Sequence, residues 1–194
     1  MKIQLVDQNI DVCRYWEKEF YGCDDVVVHR GDFFSLPTDC VVSPANSFGF
    51  MDGGLDWAIS QKLGWGVQDR LQQLIKDYCD GELVVGLAEI LESDNKDIPY
   101  CISAPTMRVP DDITGTVNVY LAASAVFRLM KRFDKGQRNL IQTVTMSGLG
   151  TGCGGVSPSV CARQMKKAYD DVWLGQKRFP DSWKDAQREQ MEMT

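Results

Sequence analysis

The chain has 194 residues, of which 44% are hydrophobic and 25% are charged. This length and balance predict one globular domain spanning residues 1–194, and they exclude a largely disordered protein. The net charge of -6 argues against a general nucleic-acid binder, which would usually carry a basic surface.

The strands and helices predicted from the sequence alternate along the chain. The predicted strands cover 2–6, 25–29, 40–43, 83–91, 100–103 and 140–146. The predicted helices cover 12–20, 54–62, 68–78 and 116–132, then a segment that opens at Ser157-Pro158, and finally a polar C-terminal helix or tail within 180–194. Such alternation predicts a mostly parallel sheet covered by helices on both faces. Ligands of these sheets bind at the carboxyl ends of the strands, so we expect the site in the loops there.

The cysteines and the apolar stretches indicate where the protein works. The longest apolar stretches are far shorter than a membrane span, and the N-terminal segment turns polar too early for a signal peptide. Seven scattered cysteines without a Cys-x-x-Cys pair favour reduced thiols over disulfides. We therefore expect a cytoplasmic protein. With His29 as the single histidine, we expect no metal site, and nothing in the sequence implies a cofactor.

The first glycine loop, residues 42–56, leaves a buried strand and enters a helix. Gly53-Gly54 would let the backbone approach a ligand closely, and the helix behind it offers free N–H groups and a positive dipole end. Asn46 supplies a donor and an acceptor suited to a sugar hydroxyl. A capped loop with an ordinary turn asparagine remains the alternative interpretation, because glycine pairs are common in turns.

The second glycine loop, residues 147–155, has five glycines among nine residues and lies between a strand and a helix. This pattern is typical of loops that bind phosphate through main-chain N–H groups. It is not a P-loop, because no lysine follows the last glycine, and its glycine spacing departs from the dinucleotide fingerprint. A flexible surface loop is the alternative. A weaker third feature is Asp32, after Gly31 at a strand end, where a carboxylate could accept from an exocyclic amine such as that of adenine.

Together these residues resemble the macro domain family. Gly31-Asp32, followed by Cys40-Val41-Val42-Ser43-Pro44-Ala45-Asn46-Ser47, is similar to the family's Gly-Asp-Ile and Val-Asn-Ala-Ala-Asn motifs. Asn46, six residues and then Gly53-Gly54-Leu55-Asp56 matches the pattern of its hydrolytic branch, and 149–155 resembles its phosphate loop. The likeness covers about residues 25–175 and is strongest to small bacterial and phage versions. For a phage-encoded chain, the expected compartment is the host cytoplasm.

The resemblance implies a three-layer α/β/α fold with a mixed, mostly parallel sheet, and it implies binding of ADP-ribose or a derivative. Asp32 would take the adenine amine with the Phe33 backbone beside it, and Asn46 would hold the distal ribose beside Ala45. The diphosphate would contact Gly53, Gly54 and Leu55 together with the second loop, namely Ser147, Gly148, Leu149, Gly150, Thr151, Gly152, Cys153 and Gly154. In the hydrolytic branch, the residue matching Asp56 positions or activates a water.

Three functions stay open at this stage. The first is hydrolysis of ADP-ribosyl linkages in ADP-ribosylated proteins, O-acetyl-ADP-ribose or ADP-ribose 1″-phosphate, with Asp56 and Asn46 as catalytic residues. The second is a non-catalytic reader of ADP-ribose or a related signalling nucleotide. Two departures favour it, because Met51-Asp52 replaces a glycine pair of the family and Gly154 replaces an aromatic residue. The third is a thiol enzyme using Cys153, which would need an activating neighbour.

Overall fold

The computed structural model describes residues 1–136 and 140–194, and the side chains of all of these except residues 134–136. The strands in this part of the chain are β1 (Lys2–Asp7), β2 (Val26–Arg30), β3 (Cys40–Ser43), β4 (Glu89–Glu92), β5 (Tyr100–Ser103) and β6 (Thr143–Met146). They form one sheet in the order β2-β1-β6-β3-β5-β4. All neighbouring strands run parallel except β4, which pairs antiparallel with β5. The sheet is therefore mixed and mostly parallel, as predicted.

The helices of the described residues lie on both faces of this sheet. They are α1 (Ile10–Glu19), α2 (Gly54–Leu63), α3 (Gly66–Tyr78), α4 (Asn118–Gly136), α5 (Pro158–Ala168) and α6 (Trp183–Met193). A π-helical segment, Tyr169–Trp173, continues α5. None of the helices in 1–136 and 140–194 combines the length and the apolar character that crossing a membrane requires.

The alternation of side chains along the central strands separates two cores. Val42 and Ile102 pair across β3 and β5 and pack in one core with α1, α4 and α5. Val41 and Cys101, one position earlier, pack in a second core with α2 and α3. Successive side chains of a strand point to opposite faces, so each strand contributes to both cores. The predicted three-layer α/β/α arrangement is confirmed.

Two strands, β4 and β6, start several residues later than the sequence predicts. The predicted strand over 83–91 begins only at Glu89, because Gly86 adopts a φ of 98° in a turn that closes with a 3.0 Å hydrogen bond from the Leu87 N–H to the Val84 carbonyl. The strand predicted over 140–146 begins at Thr143. Both carboxyl ends agree with the prediction to within one residue, so the position of the site is unaffected.

A group of charged side chains holds α6, and we call it the α6 clamp. Asp171 is 3% exposed, accepts a 2.9 Å hydrogen bond from the Tyr120 hydroxyl, and pairs with Lys167 and Lys177 at 2.5 and 3.3 Å. Glu189 of α6 pairs with the same two lysines. The last helix is therefore fixed to α5 by shared ion pairs, and the Tyr120 hydroxyl joins the Asp171 carboxylate to α4.

Candidate functional site

A cleft of about 620 Å³ lies at the edge of the sheet where the parallel strands end. The loops after β2, β3, β5 and β6 line it, together with the end of β1. The predicted site residues that line the cleft are Asp32, Phe33, Ala45, Asn46, Gly53, Gly54, Leu55, Asp56, Ser147, Gly148, Gly150, Thr151, Gly152, Cys153 and Gly154. Leu149 does not line it, because its side chain is fully buried in the core.

The end of the cleft beside β2 combines a carboxylate with an aromatic ring. The Oδ1 atom of Asp32 accepts a 2.9 Å hydrogen bond from the Phe34 N–H, whereas Oδ2 has no partner in the described part of the chain. The Phe33 side chain is 8% exposed and belongs to the core, where its ring meets that of Phe34 edge to face. Phe34 lines the cleft and was not indicated by the sequence. Its only signal was its place two residues after Asp32.

The second glycine loop is held by its own turns and by Asp7. Gly150 has a φ of 73°, a conformation that favours glycine, and its carbonyl accepts from the Val156 N–H. Asp7, at the end of β1, accepts a 3.1 Å hydrogen bond from the Gly148 N–H and was not indicated by the sequence. In contrast, the N–H groups of Gly150, Gly152 and Cys153 reach no acceptor among the described residues. These main-chain donors are available to an anion.

Gly152 and Gly154 differ sharply in the space around them. A Cβ atom added at Gly152 would meet nothing within 4 Å. A Cβ at Gly154 would lie 2.7 Å from the Gly150 carbonyl oxygen and 2.8 Å from Ile113. The aromatic residue that many hydrolytic macro domains carry at about this position is therefore excluded here by the backbone itself.

The amino end of α2 opens into the same cleft without a side-chain cap. Gly53 occupies the N-cap position with no side-chain hydrogen bond, and Gly54 has a φ of 55°. Helix α5, which follows the second glycine loop, differs because the Ser157 hydroxyl accepts from its Val160 N–H. The free N–H groups and the positive dipole end of α2 are thus left for a ligand.

Asn46 mainly holds the first glycine loop together. Its Oδ1 atom accepts from the N–H groups of Phe48 and Phe50 at 3.1 and 3.3 Å, and its Nδ2 donates to the Phe50 carbonyl at 2.8 Å. A carboxamide has two N–H donors, so one remains for a ligand. Phe50 itself is 54% exposed and lines the cleft, which adds an aromatic surface that the sequence did not indicate.

Met51 and Asp52 stand where the first loop of the resembled family often has two glycines, and their surroundings differ. Met51 is fully buried, its N–H donates to the Gln68 side chain at 2.7 Å, and its carbonyl accepts from the Ser60 hydroxyl at 2.9 Å. Asp52 is exposed and lines the cleft. The loop therefore fills its own base with a core side chain and presents a carboxylate to the ligand space.

Asp56 lies in the first turn of α2, partly buried in the cleft. The Ser43 hydroxyl donates a 2.6 Å hydrogen bond to its Oδ1 atom. Burial raises the pKa of Asp56 to about 6, the Ser43 hydrogen bond opposes this rise, and the charge of Asp52 adds to it. Burial alone is the largest cause of this raised pKa, before any ligand is bound. A carboxylate with such a pKa can exchange a proton near neutral pH.

The thiol candidate, Cys153, has no histidine beside it in the cleft, and three other side chains are bound elsewhere or lie outside the cleft. Cys153 is exposed in the cleft, but His29 does not line it. Arg108 is bound by Glu82 through two hydrogen bonds and lies over a phenylalanine ring. The indole N–H of Trp173 donates to the Asp25 carboxylate. Phe179 is 93% exposed and does not line the cleft. Within 1–136 and 140–194, no group of three His, Cys, Asp or Glu side chains could hold a metal ion.

The fold and the cleft define an α/β/α domain with unpaired main-chain N–H groups in a cleft at the carboxyl edge of its sheet. The sequence profile described as Macro domain matches residues 42–165, well over half of the chain. The chain therefore belongs to the macro domain family.

Relatives and solved structures agree with this membership. An uncharacterised protein of Aeropyrum pernix is 29% identical over 74% of this chain and 69% of its own length. The macrodomain of Mycobacterium tuberculosis DarG superposes with a TM-score of 0.60 at 18% identity, over 74% of this chain and 89% of that chain. A variant Oceanobacillus iheyensis macrodomain solved with ADPR gives 0.62 at 16% identity, over 84% and 89%. Thermosipho africanus DarTG in complex with ADP-ribose gives 0.57 at 19% identity, over 78% and 42%.

Proposed function

We propose that the cleft binds ADP-ribose or a close derivative. The observation that carries this proposal is the order of chemical groups along the sheet edge. The Asp32 carboxylate follows β2, unpaired main-chain N–H groups follow β6, and the Asn46 amide follows β3. Adenine, diphosphate and distal ribose occur in the same order in ADP-ribose. The first and last of these strands are three strand spacings apart, roughly 14 Å, a span suited to an extended dinucleotide-sized ligand.

No lysine or arginine is among the described residues that line the cleft, yet the cleft can bind a diphosphate. An acidic chain can bind an anion through backbone N–H groups and a helix dipole, which place partial positive charge without lysine or arginine. The cleft offers the unpaired N–H groups of the second glycine loop and the uncapped end of α2. Binding of this kind is local, and it is compatible with a net charge of -6.

Titration calorimetry with ADP-ribose tests the binding proposal, with AMP, ADP and NAD as controls. We expect a Kd in the micromolar range or tighter, about −8 kcal/mol, and a clear preference for ADP-ribose over AMP. AMP lacks the second phosphate and the distal ribose, so it measures the adenine end alone. Folded protein that gives no heat with ADP-ribose contradicts the proposal.

The same cleft supports hydrolysis of an ADP-ribosyl linkage, and Asp56 is the residue we assign to it. The ionised carboxylate accepts a proton from a water held beside the distal ribose. The water oxygen forms a bond to the carbon or phosphorus atom of the linkage, the bond from that atom to its leaving oxygen breaks, and the leaving oxygen keeps the bonding electron pair. Asn46 positions the ribose with its remaining N–H. ADP-ribosylated acidic side chains of proteins, O-acetyl-ADP-ribose and ADP-ribose 1″-phosphate are the substrates proposed.

The pKa of Asp56 sets a pH dependence for this reaction. Because only the ionised form accepts a proton, turnover should increase with pH up to about 6 and level off above it. A bound diphosphate adds negative charge, which moves this rise to higher pH in the complex. Incubation of each substrate with the wild type and with Asp56→Asn, followed by quantification of released ADP-ribose, tests the assignment. Equal turnover by the two proteins contradicts it.

A reader of ADP-ribose is the second candidate. It is favoured by the backbone of the second loop, which excludes an aromatic side chain at Gly154, and by the exposed carboxylate of Asp52 at the distal end. A reader binds and releases ADP-ribosylated protein unchanged. Tight binding without turnover of any of the three substrate classes would therefore favour the reader over the hydrolase.

A further inference from the structure

The carboxyl ends of β3 and β5 place two buried serines side by side. Ser43 and Ser103 are register partners in the parallel pair, and both are 0% exposed. They follow Val41 and Cys101 by two positions, so they lie on the sheet face that packs against α2 and α3. Despite this similarity they differ in bonding. Ser43 donates to Asp56, whereas the Ser103 hydroxyl has no hydrogen-bond partner in the described part of the chain.

The hydrogen bond from Ser43 gives the two Asp56 oxygens different surroundings. Oδ1 receives the Ser43 hydroxyl at 2.6 Å, which joins the end of β3 to the first turn of α2. Oδ2 has no hydrogen-bond partner among the described residues, and it is not among their fully buried unpaired atoms. One oxygen is thus fixed to the sheet, and the other is available in the cleft.

Burial and one neighbouring charge oppose the ionised form of Asp56. Asp52, in the first glycine loop, raises the pKa of Asp56 through its charge. Burial in the cleft acts in the same direction as Asp52. Ser43 is therefore the neighbour, among the described residues, that stabilises the carboxylate.

We propose that Ser43 is the positioning residue for the Asp56 carboxylate: its hydroxyl fixes Oδ1 in its ionised form and leaves Oδ2 to accept the proton of the attacking water. This inference rests on the hydrolysis proposed above and adds to it a residue that does not line the cleft. Ser43 is fully buried, does not line the cleft and donates to Asp56, so we expect it to act through Asp56. The position belongs to the segment similar to Val-Asn-Ala-Ala-Asn, in which serine replaces asparagine.

The test follows the Asp56 titration directly, by carbon-13 NMR of labelled aspartate, with Asp56→Asn identifying the resonance. In Ser43→Ala the titration midpoint should rise by about one pH unit, because a hydrogen bond to the charged form is lost. Ser43→Cys nearly keeps the side-chain volume, but a thiol is a weak donor, so the titration midpoint of Asp56 should rise in this variant too. Ser103→Ala is the matched control, with equal burial and the same atom removed, and its midpoint should equal that of the wild type.

Kinetics of the same variants complete the experiment. The acidic limb of the kcat profile should move with the titration, so Ser43→Ala should turn over about fivefold more slowly at pH 6 and much closer to wild type at pH 8. The Kd for ADP-ribose should stay within about twofold, because Ser43 does not line the cleft. A purely structural role would lower kcat equally at both pH values.

The outcomes separate the two proposals. Wild-type protein that binds ADP-ribose but turns over no substrate overturns the hydrolysis and the catalytic part of Ser43 with it. Turnover with an unshifted Asp56 midpoint in both Ser43 variants overturns the Ser43 proposal alone. An equal shift in Ser103→Ala also overturns it, since the shift would then come from the buried serine pair and not from the bond to Asp56.

Discussion

At the scale of single residues, the raised pKa that suits Asp56 to proton transfer also lowers the free energy of unfolding. Its pKa is raised to about 6 by burial, against about 4 for an aspartate in an unfolded chain. The folded state therefore holds the proton more tightly than the unfolded state, and the free energy of unfolding decreases as pH rises from about 4 to about 6. Above pH 6 the folded protein carries the full cost of a poorly solvated carboxylate.

Asp56→Asn should therefore stabilise the protein. An asparagine keeps an acceptor for the Ser43 hydroxyl and removes the buried charge, so we expect a gain of about 1–3 kcal/mol at pH 8 and about half of that at pH 5. Urea denaturation at the two pH values measures the difference. Asp52→Asn, at an exposed position, is the control and should change stability by less than about 0.5 kcal/mol. A gain from Asp56→Asn that does not depend on pH would contradict the raised pKa.

Two glycines of the second loop should respond in opposite ways. Gly152→Glu should fold normally, because a side chain there meets nothing within 4 Å, but it should abolish ADP-ribose binding by adding bulk and negative charge. Gly154→Ala should lower the free energy of unfolding by about 1–3 kcal/mol, because its Cβ would collide with the Gly150 carbonyl. Thermal unfolding and calorimetry on both variants check this. Unchanged affinity in Gly152→Glu would contradict the assignment of the loop.

The sequence indicates the glycines that line the cleft and also the polar side chains Asp32, Asn46 and Asp56. Gly53, Gly54 and the second glycine loop are indicated by type and spacing alone, since glycine tolerates the close approach and positive φ that such loops need. Phe34 and Phe50 could not be assigned in this way, because an aromatic residue looks the same in a strand-end core and in a cleft. Ser43 looks like an ordinary strand residue until β3 and α2 are placed together.

At the scale of elements, the predicted strands that border the site end within two residues of a glycine or a proline, namely 25–29, 40–43, 100–103 and 140–146. The starts of strands were less predictable. Gly86 lies within an apolar stretch that otherwise favours a strand. Its φ of 98° breaks the extended backbone, and this conformation could not be predicted from the sequence. The absence of a final strand after β6 among the described residues agrees with the sequence, and there the π-helical segment and α6 follow instead.

The α6 clamp should be a main determinant of how α6 docks. Burial alone would raise the pKa of Asp171, but hydrogen bonds from Lys167 and Tyr120 hold it below its ordinary value. A lowered pKa in the folded state stabilises the fold above the unfolded pKa, near 4, and this contribution is lost as the pH falls through the folded pKa.

Asp171→Asn should lower the free energy of unfolding by about 2 kcal/mol at pH 7, because it leaves two lysines partly buried without their shared carboxylate. The loss should become smaller only below about pH 4, as the pH falls through the lowered pKa of the wild-type aspartate. Urea denaturation measures both values. Asp11→Asn removes an exposed ion pair, with side chains 60% and 69% exposed, and should cost less than about 1 kcal/mol. Equal losses in the two variants would contradict the importance of the clamp.

At the scale of the whole molecule, ligand binding should be visible as stability. A ligand that binds only the folded state at one hundred times its Kd adds about 2.7 kcal/mol. For a chain of this size that corresponds to a Tm increase of about 5–10 °C. Differential scanning calorimetry with ADP-ribose, and with AMP as the control, checks the prediction. An equal increase with AMP would show that the adenine end alone accounts for binding.

The seven free thiols give an independent measure of the same cleft. Cys153 is exposed on the second glycine loop, whereas Cys13, Cys40, Cys101 and Cys161 are buried. We expect iodoacetamide to modify Cys153 first in the folded protein, and ADP-ribose to slow that reaction at least severalfold. Peptide mass spectrometry against time measures both. Modification of Cys153 at the same rate with and without saturating ADP-ribose would place the ligand away from this loop.

The unpaired N–H groups of the second glycine loop have one more consequence, which concerns tolerance to mutation. A main-chain donor is retained by every substitution that the backbone conformation accepts, so the loop can change its side chains and keep its hydrogen bonds. Alanine scanning would then miss the groups that contribute most to anion binding, and would report only those positions where a Cβ collides. Such a site can change its side chains while the main-chain donors that bind the anion persist.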